Sequence, residues 1–132
     1  MVRLGKTMVL VATFAVLTLP GLASGEPTAD RAPVPDRVQV RGSEFDLVLS
    51  KQKLRPGKVI IQFLNNGEDP HDLRIVRAGD EAQFGFGMVG PTEYENLEAG
   101  LRKKSSYVLW CSLQGHREAG MEAVLKTKKR RR

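Results

Sequence analysis

Short β-rich segments, separated by glycine, proline and asparagine, dominate the sequence from Arg37 onward. β-branched and aromatic residues fill these segments, and in one of them Phe45, Leu47 and Leu49 alternate on a single predicted face. The predicted strands cover residues 38–40, 45–49, 59–64, 73–76, 106–111 and 121–125. Several short strands with turn residues between them favour a sandwich or a barrel. The sequence therefore predicts an all-β fold.

Residues 78–100 do not follow this pattern. Residues 83–91 contain too much glycine for a stable helix. Residues 93–101 fit either a helical turn or an irregular strand. We therefore expect a long loop or a short helix around residues 78–100.

The N-terminal segment has the features of a secretory signal. Arg3 and Lys6 precede an apolar run over residues 8–19, and small residues follow at 23–25. The run is too short for a membrane-spanning helix, which needs ~20 residues. We expect a signal peptide over residues 1–25, with an uncleaved anchor as the alternative. The protein is then exported to the periplasm, the cell surface or the medium.

The remaining chain divides into three parts. Residues 26–36 are rich in proline and charge and predict a flexible linker. We expect a single domain over residues 37–127 and a basic tail over residues 128–132. The formal net charge of +6 arises at the two ends of the chain, because residues 26–125 contain 13 basic and 15 acidic residues. A nearly neutral domain does not indicate nucleic-acid binding. The tail is either solvated or in weak contact with a membrane surface or the cell wall.

Cys111 is the only cysteine in the sequence. An exported protein with one thiol has no internal disulfide, and exported thiols are usually oxidised or paired. Burial, a nucleophilic role, an intermolecular bridge or a metal would each account for it.

The segment from Cys111 to Met121 favours the metal. It contains a thiol, the imidazole of His116 and a thioether within eleven residues, in a loop between two predicted strands. Gly115 and Gly120 allow tight turns before His116 and Met121. Thiolate and thioether ligands select copper, and imidazole suits it as well. The only other histidine, His71, follows an Asn-Asn-Gly turn and a proline. The sequence thus predicts one copper ion held by His71, Cys111, His116 and Met121.

The same residues carry a resemblance to a known family. The pattern over residues 56–67, followed by Pro70-His71-Asp72-Leu73, is similar to the strand that leads to the first histidine in small cupredoxins of the plastocyanin and azurin type. Residues 106–111, Gly115-His116 and Ala119-Gly120-Met121 resemble the ligand loop of that family. The similarity extends from about Arg37 to Thr127.

This resemblance implies a Greek-key β-sandwich with a type 1, or blue, copper site. His71, Cys111 and His116 are then equatorial ligands, Met121 is axial, and His116 passes electrons through its exposed edge. Four residues separate Cys111 from His116, as in azurins, and four separate His116 from Met121, one more than in azurins. Asp72 stands where azurins have asparagine. Amides near Asn66 and Leu113 are the expected donors to the sulfur.

The expected function is single-electron transfer between transient redox-protein partners, by a monomer with no catalytic site. Met88, Val89 and Pro91 would border His116. An acidic run of Glu93, Glu95 and Glu98 would steer a basic partner or form an ordinary solvated face. Copper delivery, storage or resistance is the alternative. A thiol enzyme using Cys111 and His116 is a third possibility.

Overall fold

The computed structural model describes residues 33–129, which form an all-β structure. The predicted signal peptide, most of the linker and residues 130–132 lie outside the described residues. The strands are β1 (Asp36–Ser43), β2 (Asp46–Leu49), β3 (Lys53–Leu54), β4 (Gly57–Asn65), β5 (His71–Arg77), β6 (Gln83–Val89), β7 (Tyr94–Leu101), β8 (Ser106–Trp110) and β9 (Glu122–Thr127). A search of residues 33–129 for a helix able to cross a membrane finds none.

The nine strands form two sheets. The first sheet has the order β2-β1-β4-β7, and the second has the order β3-β9-β8-β5-β6. The β1–β4 and β3–β9 pairs are parallel, and the other pairs are antiparallel. The predicted all-β sandwich is therefore confirmed.

Alternating side chains from the two sheets form the core. In β4, Val59, Ile61 and Phe63 are fully buried, and in β8 Tyr107 and Leu109 are buried. Each such side chain contributes ~1.5–3 kcal/mol through removal of its apolar surface from water. Cys111 and Met121 belong to the same cluster and are also fully buried. The candidate metal ligands thus lie at one end of the core.

The expectation of a loop or short helix around residues 78–100 is wrong, because this segment contains β6 and β7. Glycine disfavours a helix in this segment, but in β6 it allows close packing of two strands. Gly85 has φ 149°, and a Cβ there would lie 1.9 Å from the carbonyl oxygen of Leu73 in β5. Only glycine permits this approach, which accompanies an irregular register between His71 and Leu73.

Phe45 also differs from the prediction. The sequence predicts Phe45 on one face of a strand with Leu47 and Leu49, but it lies in the turn between β1 and β2 with φ 63°. Its side chain is 47% exposed, whereas Leu47 is buried. The turn directs Phe45 to the end of the sandwich that carries the candidate ligands.

Candidate metal centre

Three of the four predicted ligands converge at one end of the sandwich. His71 is the first residue of β5, Cys111 follows β8, and His116 lies in the loop that leads to β9. Their donor atoms all lie within 4.8 Å of one another. The Cys111 Sγ is 3.9 Å from Nδ1 of His71 and 3.6 Å from Nδ1 of His116. His71 and Cys111 are fully buried, and His116 is partly exposed.

The loop between Cys111 and Met121 is a series of tight turns. The amide of His116 donates to the Leu113 carbonyl at 3.1 Å, and the amide of Met121 donates to the His116 carbonyl at 3.0 Å. The amide of Cys111 donates to the Met121 carbonyl at 3.2 Å. These bonds place the backbone of Met121 beside Cys111 and His116.

Met121 lies in the buried wall of the site. Its side chain has no solvent exposure and lies close to Gly42, where an added Cβ would be 3.1 Å from the methionine methyl carbon. The amide and carbonyl of Met121 are the groups bonded to His116 and Cys111. The backbone of Met121 therefore lies beside the other two loop ligands, and its side chain is buried in the same core cluster as Cys111.

The Cys111 sulfur is fully buried beside two imidazoles, two backbone amides and the Asp72 carboxylate. Burial raises the pKa of the Cys111 thiol and the Asp72 carboxylate also raises it, while the backbone amides of Leu113 and Asp72 act in the opposite direction. The expected donor near Leu113 is thus present. The Asn66 amide instead donates to the Gly42 carbonyl at 2.7 Å, so the second donor comes from Asp72. Metal binding would release the thiol proton and use the same two amides to stabilise the thiolate.

Asp72 connects the two segments that carry the ligands. Its carboxylate accepts the Ser112 amide at 2.6 Å and also the Ser112 hydroxyl. Arg74 Nε donates to the same carboxylate at 3.1 Å. Burial by itself would raise the pKa of Asp72, but the Ser112 hydroxyl and amide outweigh it and hold that pKa below its ordinary value. Asp72 is therefore ionised, and it fixes the residue after Cys111 to the residue after His71.

Asn65 organises the turn before His71, a role that the sequence interpretation missed. Its side-chain nitrogen donates to the Asp69 and Val89 carbonyls, both at 2.8 Å. Its side-chain oxygen accepts the Gly67 amide at 2.8 Å. Asn65 is fully buried, so these bonds satisfy groups that water does not reach. The Asn-Asn-Gly pattern was the available signal, since asparagine often bonds to the backbone of its own turn.

The turn between β1 and β2 reaches both histidines, which the sequence also did not indicate. Glu44 Oε1 lies 3.3 Å from Nε2 of His71, and the Phe45 ring packs edge-on against His116 at 5.2 Å between centroids. The Asp69 amide is the main cause of a lowered Glu44 pKa, about 2, and the Glu68 amide and His71 contribute. The contacts join residues 27 and 71 positions apart, so no local pattern predicts them.

The donor set fits one copper ion. A thiol sulfur faces two imidazole nitrogens at contact distances, and a buried thioether follows in the same loop. Thioether is a soft ligand that suits copper, whereas zinc sites use cysteine, histidine and carboxylate. Two histidines and a cysteine in a plane with a weak axial methionine form the arrangement of blue-copper sites.

Comparisons with solved structures agree with this architecture. Auracyanin B superposes with a TM-score of 0.59 at 18% identity, over 74% of this chain and 92% of that chain. A dithionite-reduced auracyanin from Roseiflexus castenholzii gives a TM-score of 0.55 at 17% identity, over 72% and 98% of the two chains. The chain has the cupredoxin fold. The reduced form of an amicyanin point mutant, another cupredoxin, gives a TM-score of 0.51 at 16% identity, over 73% and 86%.

Larger copper proteins share the cupredoxin fold over part of their length. This chain covers 31% of a copper-containing nitrite reductase from Thermus scotoductus and 42% of a multicopper oxidase. No protein-family model matches the sequence, and no curated protein sequence is significantly similar to it. The similarity is therefore one of fold, and the chemistry of this chain follows from its own residues.

Proposed function

We propose that this protein is an exported type 1 copper protein that passes single electrons between redox proteins. The observation that carries the proposal is the buried Cys111 sulfur with the Nδ1 atoms of His71 and His116 at 3.9 and 3.6 Å. In this proposal, these three residues are the equatorial ligands and Met121 is the axial one. When bound, copper supplies a centre that accepts and releases one electron.

The sandwich would keep the ligands in nearly the same place in both redox states. His71 and Cys111 lie on β5 and at the end of β8, two strands paired through Arg74 and Trp110 in the second sheet. The Asp72–Ser112 hydrogen bonds also join β5 to the segment that follows β8. Ligands held by a paired sheet move little, so little reorganisation accompanies each transfer.

His116 is the proposed electron port. Its Nδ1 faces the Cys111 sulfur, so the Nε2 edge points away from the metal position, and the residue is partly exposed. Phe45, 47% exposed, packs against this ring, and Met88, 54% exposed, precedes the residue that pairs with His71. Small apolar contacts of this kind suit short-lived encounters with donor and acceptor proteins.

We propose that the acidic run of Glu93, Glu95 and Glu98, immediately before and within β7, contributes little to partner choice. Glu98 forms an ion pair with Lys58 at 2.6 Å, and Glu93 accepts the Gly90 amide at 3.0 Å. Both carboxylates therefore have partners within the chain. We propose that partners dock mainly through the apolar surface around His116.

Voltammetry of the copper-loaded protein tests the electron-transfer role. We expect a reversible one-electron wave, and rapid oxidation of the reduced protein by a second type 1 copper protein or a cytochrome c. Cys111→Ser is the matched control and should lose the wave. A protein that binds only Cu(I), tightly and without colour, would instead support copper delivery, storage or resistance.

We infer no catalytic activity for the chain. A single cysteine excludes a dinuclear copper centre bridged by two thiolates within this chain. Two histidines, both used at one site, leave none for the further copper clusters of oxidases and nitrite reductases. Persistence of copper and colour after treatment with a thiol-alkylating agent would exclude the thiol-enzyme alternative.

We propose that the basic tail makes a weak contact with an anionic surface. Basic residues line one surface depression near the start of β4, namely Arg55, Lys58, Lys103, Lys128 and Lys129. The strand rises ~3.3 Å per residue, which separates Gly57 from the ligand end by about 26 Å. A surface bound there would leave His116 free. Sedimentation with phosphatidylglycerol vesicles at low and high salt, with and without residues 128–132, tests this contact.

A further inference from the structure

We propose that Glu44 is a positioning residue that orients His71 for the metal before the metal binds. Its carboxylate would fix both the direction and the tautomer of the imidazole. This inference rests on the proposed copper site, and it adds a residue from a third loop to the two segments that carry the ligands.

Glu44 lies in the turn between β1 and β2, and one of its oxygens meets three donors. Oε1 accepts the Glu68 amide at 2.7 Å and the Asp69 amide at 3.0 Å. The same oxygen lies 3.3 Å from Nε2 of His71. The carboxylate is thus bonded both to the histidine and to the turn that precedes it, so the two cannot shift independently.

The turn before His71 is shaped to receive this carboxylate. A Cβ at Gly67 would lie 2.3 Å from Glu44 Oε1, a distance at which two atoms clash. Any other residue at position 67 would therefore displace the Glu44 side chain. The Gly67 amide donates to the Asn65 side chain, and the face of Gly67 on which a Cβ would lie is turned towards Glu44. The two turns interlock at this point.

The chemistry of the pair determines which nitrogen faces the metal. A neutral imidazole carries one proton, and an ionised carboxylate only accepts hydrogen bonds. The proton therefore resides on Nε2, towards Glu44, and the Nδ1 lone pair faces the Cys111 sulfur at 3.9 Å. His71 is fully buried, so water does not provide an alternative partner for Nε2. Partners of this kind fix ring orientation and raise ligand basicity in metal sites.

Three variants separate hydrogen bonding from charge. Glu44→Ala removes the acceptor, and loss of such a partner typically lowers metal affinity ~10–100-fold. Glu44→Gln retains a carbonyl oxygen for the same three donors, so affinity should stay within a few-fold of the parent. Glu68→Gln removes one negative charge from the same turn without contacting His71, and it is the matched control.

Nitrogen-15 NMR of the metal-free protein is the decisive measurement, because it does not depend on copper or on electron transfer. We expect an Nε2–H tautomer for His71 with a slowly exchanging proton, retained in Glu44→Gln and Glu68→Gln and lost in Glu44→Ala. Cu(I) competition titrations should show the ~10–100-fold loss only in Glu44→Ala. An Nδ1–H tautomer in the parent protein overturns the proposal even if Glu44→Ala does not fold.

The outcome separates this inference from the proposed function. If the tautomer and affinity respond as expected while the copper-loaded protein shows no reversible wave, Glu44 positions His71 in a site with another role. If the wave is present but Glu44→Ala leaves both the tautomer and the affinity unchanged, the electron-transfer proposal stands and the role of Glu44 is wrong.

Discussion

Removal of the Asp72 carboxylate should destabilise the protein strongly. The carboxylate accepts two hydrogen bonds from Ser112, one from the amide at 2.6 Å and one from the hydroxyl. A hydrogen bond to a charged group contributes ~1.5–3 kcal/mol. Ser112 is exposed, so its donors regain water when the acceptor is lost, and the lower value applies to each bond. The Arg74 contact adds little, because the arginine side chain is 43% exposed and its charge remains solvated. Asp72→Ala should therefore cost about 3 kcal/mol.

Thermal unfolding followed by circular dichroism measures this loss. A change of 1 kcal/mol shifts the Tm of a domain of this size by ~4–8 °C, so Asp72→Ala should lower the Tm by at least ~12 °C. Asp72→Asn should lower the Tm by roughly half as much. The oxygen of its carboxamide still accepts the Ser112 backbone amide and its nitrogen donates to the Ser112 hydroxyl oxygen, but both bonds become neutral and therefore weaker.

Asp80→Ala is the control for this experiment. Asp80 pairs with Arg77 through two contacts at 2.6 and 2.8 Å, but both groups lie at the surface. Its removal should leave the Tm almost unchanged, because ion pairs at the surface contribute little to stability. An Asp72→Ala protein as stable as Asp80→Ala would refute the view that Asp72 joins the two ligand segments.

Three further predictions concern other parts of the molecule. Gly85→Ala should lower the free energy of unfolding in urea by ~1–3 kcal/mol, because the positive φ and the close carbonyl of the neighbouring strand both oppose a Cβ. Gly87→Ala, in the same strand but with open space around it, is the control, and equal stability of the two variants would contradict the close approach of Gly85 to β5. Met121→Leu should still bind copper and lower the free energy of unfolding by less than ~1.5 kcal/mol. It should raise the reduction potential, because the oxidised ion loses a weak donor, and loss of copper would mean that the axial assignment is wrong. Burial of Asp36 raises its pKa, but backbone amides and a lysine ammonium hold that pKa below its ordinary value overall. The contribution of Asp36 to the stability of the fold is therefore present above the ordinary pKa and is lost as the pH falls through the lowered value. Asp36→Asn should therefore flatten the decline in the free energy of unfolding as the pH falls below the ordinary aspartate pKa, and an unchanged decline contradicts this role.

Local pattern was sufficient for the strands that build the core. Residues 59–64 and 73–76 alternate or cluster apolar side chains as buried strands do, and they lie within β4 and β5. The ligand loop was equally visible, because its thiol, imidazole and thioether lie within eleven residues. His71 was identified because the sequence contains only one other histidine.

The errors arise where a residue's role depends on a distant part of the chain. Gly85 disrupts a helix in local terms, yet its contact with the carbonyl of Leu73 makes it necessary for the β5–β6 pair. Phe45 has strong β propensity, but the turn needed to place Glu44 beside His71 puts it at positive φ and in solvent. Propensity therefore gave the wrong position for Phe45 and no information about Glu44.

The support of the ligands was only partly predictable for the same reason. Asp72 was noted because it replaces an asparagine of azurins, and the structure shows that it bonds to Ser112, forty residues away. An amide near Leu113 was expected as a donor to the sulfur, and the Leu113 amide is one of the two groups there. The second donor was expected from Asn66 but comes from the Asp72 amide, because the β5–β8 pairing decides which backbone lies beside the sulfur.

A Cu(II) titration of the metal-free protein, monitored by visible absorption and electron paramagnetic resonance, tests the central claim most directly. The account predicts an intense band from the Cys111 thiolate that saturates at one copper per chain and is absent in Cys111→Ser. A colourless Cu(II) complex, or a visible band that persists in Cys111→Ser, would contradict it.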